Sequence, residues 1–188
     1  MLTEKQRGVL VGMLTGLSVT LLALVLVIVA APSALLPDDN TASAIAHAAQ
    51  WDMLLVSWLA ANIAMLARHR FFTPADIDGG GLSDGTPSAK ILQSVLQNTL
   101  EQVVLAFCTH LIWAATMPWR WQAAVPTAAM LFFLGRVLFW RGYARGAPAR
   151  ALGFALTFYP TVVMLVAVVG RIAWIRIGRN IFTNVGLS

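Results

Sequence analysis

The sequence contains little charge and almost no cysteine. Only 11% of its 188 residues are charged and 59% are hydrophobic, a balance typical of integral membrane proteins and not of soluble domains. The single cysteine, Cys108, excludes an intrachain disulfide. The three histidines, His47, His69 and His110, are scattered, so no spacing predicts a metal site. The formal charge of +5 comes from Lys and Arg at the ends of apolar segments, which indicates membrane topology and not nucleic-acid binding.

Five hydrophobic segments are long enough to cross a bilayer. The first has no charge and is longer than the core of a signal peptide, so we expect a retained anchor. Residues 71–90 form one long loop rich in Gly, Pro, Asp and Ser. We expect an additional helix and loop over residues 1–40, a helical membrane domain over 41–175 and a tail over 176–188. The predicted spans are Val9–Ala31, Ala44–Ala67, Ile91–Met117, Ala123–Tyr143 and Ala151–Ile172.

The distribution of Lys and Arg predicts the orientation, because cytoplasmic loops carry an excess of positive charge. With five spans the termini lie on opposite sides, and a cytoplasmic N-terminus gives the better count. The long loop then faces the cytoplasm together with residues 136–150. The Ala- and Arg-rich composition and short loops indicate a bacterial inner membrane. The predicted inner side receives Lys5, Arg7, Arg68, Arg70, Lys90, Arg141, Arg145 and Arg150, and the outer side Arg120, Arg171, Arg176 and Arg179.

The third span contains an unusual pair of polar residues. Asn98 and Glu101 are three residues apart and therefore share one helix face. Polar side chains can simply join membrane helices by hydrogen bonds. A glutamate is more costly to bury, so it needs a cation or a shared proton. Arg136, which lies deep in the fourth span, is the partner that we expect for it.

Arg136, Tyr143 and Arg150 are spaced seven residues apart. The first two lie on one stripe of the fourth helix, and Arg150 follows a turn that contains proline. Lipid headgroup contacts explain the nearby Arg141 and Arg145 but not the deeper Arg136. Guanidinium groups bind carboxylates in pairs of hydrogen bonds, and a cation near a thiol favours the nucleophilic thiolate. The set therefore suits a small zwitterionic peptide with more than one carboxylate.

At these positions the sequence resembles the MAPEG superfamily, the membrane-associated proteins in eicosanoid and glutathione metabolism. The family includes leukotriene C4 synthase and the microsomal glutathione transferases. The resemblance is carried by an N-x-x-E motif at Asn98 to Glu101, then by Arg136, by Gly142-Tyr143 and by Arg150. It covers roughly residues 44–169, and the first segment is extra.

The resemblance implies an all-α membrane protein: a four-helix bundle per subunit, with one additional N-terminal helix here, assembled as a homotrimer in the lipid bilayer. It implies a glutathione-dependent transferase or peroxidase that acts on lipophilic electrophiles, with glutathione as cosubstrate between subunits. Asn98, Glu101 and Tyr143 would contact glutathione, and Arg136 would support that site. Arg150 would stabilise the thiolate as the catalytic residue. Arg68 or Arg70 would contribute from the adjacent subunit.

Three departures from the family pattern leave other functions open. Ser94 stands where the family usually carries an arginine, Leu96 replaces a polar residue, and Phe139 replaces a tyrosine. Each lost charged contact would cost on the order of 1.5–3 kcal/mol. One alternative is therefore a non-catalytic member that binds a lipid or joins a membrane complex. A small transporter or channel that uses Glu101 for proton coupling is a further alternative, although no inverted repeat is visible.

Overall fold

The computed structural model describes the backbone of residues 1–184 and the side chains of residues 1–177. Within this range the long elements are five α-helices, and all five are long and apolar enough to cross a membrane. The predicted all-α architecture is confirmed. The helices are α1 Glu4–Ala30, α2 Thr41–Phe72, α3 Pro87–Thr116, α4 Ala124–Tyr143 and α5 Ala147–Asn184, with short 3-10 turns at Ser33–Leu35, Pro74–Asp76 and Trp119–Ala123.

Several helices extend beyond the apolar segments that predict them. Helix α2 begins after Asn40 and α3 after Thr86, and both residues accept a hydrogen bond from a backbone N–H of the first turn. These caps shorten the polar loop to residues 73–86. Helix α5 continues to Asn184, so most of the predicted tail is helical; its last residues, 185–188, and the side chain of Arg179 lie outside the described residues.

Helix α1 lies parallel to α5 and very close to it. Three glycines of α1, four residues apart, face small residues of α5. A Cβ at Gly12 would lie 2.9 Å from the Ala151 Cβ, and one at Gly16 would lie 2.4 Å from the Ala155 Cβ. Only glycine permits this separation, as in other membrane helix pairs joined by small residues. The remaining face of α1 is apolar and exposed, which suits contact with lipid.

The loop between α2 and α3 is held by one buried carboxylate. Asp76 accepts hydrogen bonds from the Thr86 hydroxyl at 2.6 Å and the Thr86 backbone N–H at 2.7 Å. Nε2 of His69, at the end of α2, lies 2.8 Å from the same carboxylate. The Thr86 bonds, above all the one from the hydroxyl, hold the pKa of Asp76 below its ordinary value of 3.8. The end of α2 and the first turn of α3 are thus joined through the loop.

We expect Asp76→Asn to speed amide hydrogen exchange several-fold across residues 73–86, because the amide cannot accept all the bonds that the carboxylate accepts. Since the folded pKa is depressed, this stabilisation is present above the ordinary pKa of 3.8 and is lost as the pH falls through the folded value. Mass spectrometry of exchange in detergent, with the exposed Asp78→Asn as control, measures the effect. Equal exchange rates in the two variants would show that the Asp76 carboxylate does not hold the loop.

Candidate functional site

The turn between α4 and α5 brings Tyr143 and Arg150 together. The two helices touch through glycines, and a Cβ on Gly142 would lie 2.3 Å from the Ala149 carbonyl oxygen. Gly146 in the turn has a φ of 99°, which favours glycine. As a result the guanidinium carbon of Arg150 lies 4.2 Å from the centre of the Tyr143 ring, a cation–π arrangement. The structure thus joins two of the predicted site residues across the turn.

Arg136 is fully buried in the bundle and lies two helical turns before Tyr143 on the same stripe of α4. Its Nη1 donates to Asn98 Oδ1 at 2.9 Å, and its Nη2 donates to the Thr157 hydroxyl at 2.5 Å. The guanidinium carbon also lies 4.5 Å from the centre of the Phe139 ring. Among the described side chains no carboxylate is within ion-pairing distance of Arg136. Its Nε has no hydrogen-bond partner among the described residues, and burying a cation among neutral groups alone is costly.

The bond to Arg136 determines how the Asn98 amide is oriented. A guanidinium group can only donate, so it must meet the Asn98 carbonyl oxygen. The Asn98 NH₂ group is then available to another acceptor. Asn98 is half-buried and lines a cleft, so this donor is accessible to a ligand.

The cleft beside Asn98 has a volume of about 360 Å³ and lies between α3, α4, α5 and the start of α1. Its polar groups are Asn98, Tyr143 and Arg150, and the rest of its surface is apolar. The arrangement offers cationic and hydrogen-bonding groups beside an apolar wall. The apolar lining residues are Val9, Met13, Phe139, Ala147, Ala151 and Phe154.

The expected pair between Glu101 and Arg136 is not formed. Glu101 is exposed on the chain and accepts a hydrogen bond from Gln97 Nε2 at 3.0 Å. Arg136 instead bonds to Asn98, because position 98 faces α4 and position 101, three residues later, lies about 60° away around α3. Sharing a broad helix face was therefore too coarse a criterion to identify the partner.

Arg68 and Arg70 lie away from this cleft within the same chain. Arg68 is exposed and lines a shallow groove at the end of α2. Arg70 donates to Gln93 Oε1 at 3.0 Å and lines a separate cleft of about 420 Å³ under the 73–86 loop. Ser94 lines that second cleft, one turn before Asn98. The two clefts are thus lined by successive turns of the same stripe of α3, one by Ser94 and the other by Asn98.

The three departures from the family pattern have different surroundings. Ser94 is exposed, and Leu96 is half-buried. Phe139 is buried beneath the Arg136 guanidinium, and its ring lies 5.3 Å from that of Tyr143. Phe139 therefore contributes stacking where a tyrosine would add a hydroxyl.

Two polar features of the structure were not predicted from the sequence. The Thr157 hydroxyl accepts a hydrogen bond from Arg136 and donates one to the Phe154 carbonyl oxygen. In the sequence only its position, seven residues after Arg150, pointed to this role. Asp52 Oδ1 lies 2.5 Å from His110 Nδ1, between α2 and α3, and both residues are buried. An aspartate and a histidine inside two predicted spans were visible in the sequence, but their 58-residue separation hid the contact.

Comparison with protein families matches the MAPEG family over residues 44–170. This range is more than half of the chain and contains every residue of the cleft except the two from α1. No curated protein and no solved structure matches the sequence.

Proposed function

Because the chain belongs to the MAPEG family and is an integral membrane protein, we propose that it is a glutathione-dependent transferase or peroxidase that acts on lipophilic electrophiles. Members of this family commonly use glutathione. We further propose a homotrimer in a bacterial inner membrane, with the N-terminus and the cleft on the cytoplasmic side, where glutathione is available. The clustering of Lys and Arg at that end of the bundle supports this orientation.

One observation carries the proposal: two guanidinium groups at the cleft have no carboxylate partner among the described side chains. Arg136 is buried behind Asn98, and Arg150 rests on the Tyr143 ring. Their combined field makes the cleft a favourable place for a ligand with negative charge. Glutathione has two carboxylates, one ammonium group and one thiol, and it fits that requirement.

Each polar group of the cleft has a distinct role in the proposal. The Asn98 NH₂ group, oriented by Arg136, donates to a carbonyl or carboxylate oxygen of glutathione. The Tyr143 hydroxyl is a second donor. Arg150 faces the thiol, and its positive charge stabilises the thiolate by lowering the free energy of the charged form. The apolar lining receives the electrophile.

In the proposed transfer reaction Arg150 stabilises the thiolate, and water accepts and supplies the protons. The thiol proton leaves to water, and the thiolate sulfur forms a bond to an electrophilic carbon. The electron pair of the bond that breaks goes to the leaving group or to the opened ring oxygen, which takes a proton from water. With a hydroperoxide the thiolate attacks the terminal oxygen and the O–O bond breaks, which gives glutathione sulfenic acid and an alkoxide that takes a proton from water to become the alcohol. The thiol of a second glutathione then reacts with the sulfenic acid to give the disulfide and water.

The neighbouring subunit completes the site in this proposal. Glu101 is exposed on a face of α3 that no other helix covers within the described part of the chain. In a trimer this face would meet the adjacent copy, where Glu101 can accept from the glutathione ammonium. Arg68 or Arg70 of the adjacent subunit supplies a further cation for a carboxylate. This cation compensates for the arginine of the family pattern that Ser94 replaces.

We expect Arg150→Ala to lower turnover roughly tenfold or more. Loss of the nearby positive charge should raise the pKa of the glutathione thiol by about one unit or more, which leaves less of the reactive thiolate. Binding of glutathione weakens much less. The thiolate absorbance of bound glutathione, recorded against pH, should move to higher pH in this variant. The exposed Arg145→Ala provides the matched control. Unchanged turnover and thiolate absorbance in Arg150→Ala would contradict the catalytic role.

A second candidate is a non-catalytic member of the family that binds a lipid. It is favoured by the apolar cleft lining and by Phe139, which offers no hydroxyl to glutathione. Native mass spectrometry of the detergent-purified protein distinguishes the two. A retained lipid that glutathione does not displace would favour this candidate.

A further inference from the structure

The first helix contributes two side chains to the cleft. Val9 and Met13, one turn apart on α1, line it opposite Tyr143 and Arg150. Helix α1 lies before the part of the chain that matches the family, so this wall is a feature of the present chain. A helix that served only as an anchor would have no need to face the cleft.

The position of α1 against the cleft is closely determined. Gly8, Gly12 and Gly16 bring its backbone against α5, and a Cβ at Gly12 would lie 3.0 Å from the Leu152 backbone nitrogen. Residues 9 and 13 follow two of these glycines directly, so they lie at the edge of the contact. The same packing that holds α1 therefore places Val9 and Met13 in the wall of the cleft that Arg150 and Phe154 also line.

An apolar groove continues from the cleft along α1. It has a volume of about 360 Å³ and shares Val9, Met13 and Ala147 with the cleft. From Met13 to Lys5 it follows α1 for roughly 12 Å at the rise of a helix, and it ends at Leu2, just before the helix begins. Its only charged lining residue is Lys5, at the end remote from Arg150. The shape and lining suit an extended hydrocarbon chain.

We infer that α1 forms one wall of the second-substrate site, with Val9 and Met13 determining which lipophilic substrates fit. The occupant is an unbranched apolar chain that carries the electrophilic group: the reactive end lies beside Arg150 and the chain lies along α1 toward Lys5. This inference rests on the proposed function, since the reactive end must meet glutathione.

Alkylated glutathiones test the inference, because they join the glutathione part to a chain of chosen length. Calorimetric titration should show S-decyl glutathione binding at least tenfold more tightly than glutathione, since each buried methylene strengthens binding by up to about fourfold. Met13→Trp obstructs the groove where it leaves the cleft and should abolish this preference, so that S-decyl glutathione binds no more tightly than glutathione itself. Val11→Trp, on the exposed face of α1, is the matched control and should keep the preference.

The possible outcomes separate the two proposals. If both ligands bind and the two tryptophan variants behave alike, α1 is not the wall, and the proposed function stands. If neither ligand binds to the folded wild-type protein, the proposed function is wrong and the inference fails with it. Met13→Ala covers the case in which the tryptophan variant does not fold. It should lower the affinity for S-decyl glutathione several-fold, and an unchanged affinity would overturn the inference.

Discussion

Replacing Asp52 alone with leucine should lower the free energy of unfolding by about 3–5 kcal/mol. Asp52 and His110 form a contact of 2.5 Å between α2 and α3, and each side chain is 1% exposed. Among the residues that the structure describes, Asp52 Oδ2 and His110 Nε2 have no hydrogen-bond partner. Removing Asp52 leaves the His110 ring buried without a hydrogen-bond partner, inside the bundle where water cannot take the place of the lost carboxylate.

The double variant Asp52→Leu with His110→Leu should recover most of that loss. Two apolar side chains of similar volume need no partner, so replacing the whole pair is close to neutral. Denaturation in mixed detergent micelles measures all three variants, and the double-mutant cycle gives the coupling energy. Additive losses in the double variant would show that the two residues contribute independently, against the contact described here.

Replacing Arg136 with methionine should weaken glutathione binding without lowering stability. The guanidinium group is 0% exposed, and its hydrogen-bond partners are the neutral Asn98 and Thr157. Burying an unpaired charge is costly, so an apolar chain of similar length keeps the melting temperature or raises it. Binding should weaken by at least about tenfold, because the Asn98 amide loses its orientation and the cleft loses positive charge.

Thermal denaturation and glutathione titration of the same preparation test both parts of this prediction. Arg141→Met is the matched control, because Arg141 is an exposed residue five positions further along α4. The control should bind glutathione like the wild type. A large fall in the melting temperature of Arg136→Met, with binding retained, would mean that Arg136 is a structural residue.

The sequence predicts the spans well because a bilayer requires about 20 consecutive apolar residues. The five helices and the family followed from that requirement and from the spacing of a few polar residues. The helix ends were less predictable. Caps such as Asn40 and Thr86 extend helices into polar sequence, where hydrophobicity gives no signal.

The site was only partly predictable, because partner choice depends on how helices are rotated against one another. Asn98 and Glu101 differ little in the sequence pattern, yet only Asn98 meets Arg136. The position of α1 was also hidden. Its glycines are visible in the sequence, but the residues of α5 that they contact are about 140 positions away. Hydrophobic periodicity does not encode such long-range pairing.

The most direct test of glutathione binding is calorimetric titration of reduced glutathione into the detergent-purified wild-type protein and Asn98→Leu. We expect a micromolar to millimolar dissociation constant for the wild type and a clear weakening in the variant, which lacks the Asn98 donor. If the folded wild-type protein gives no binding heat and no thiolate absorbance with glutathione, the proposed glutathione site is wrong.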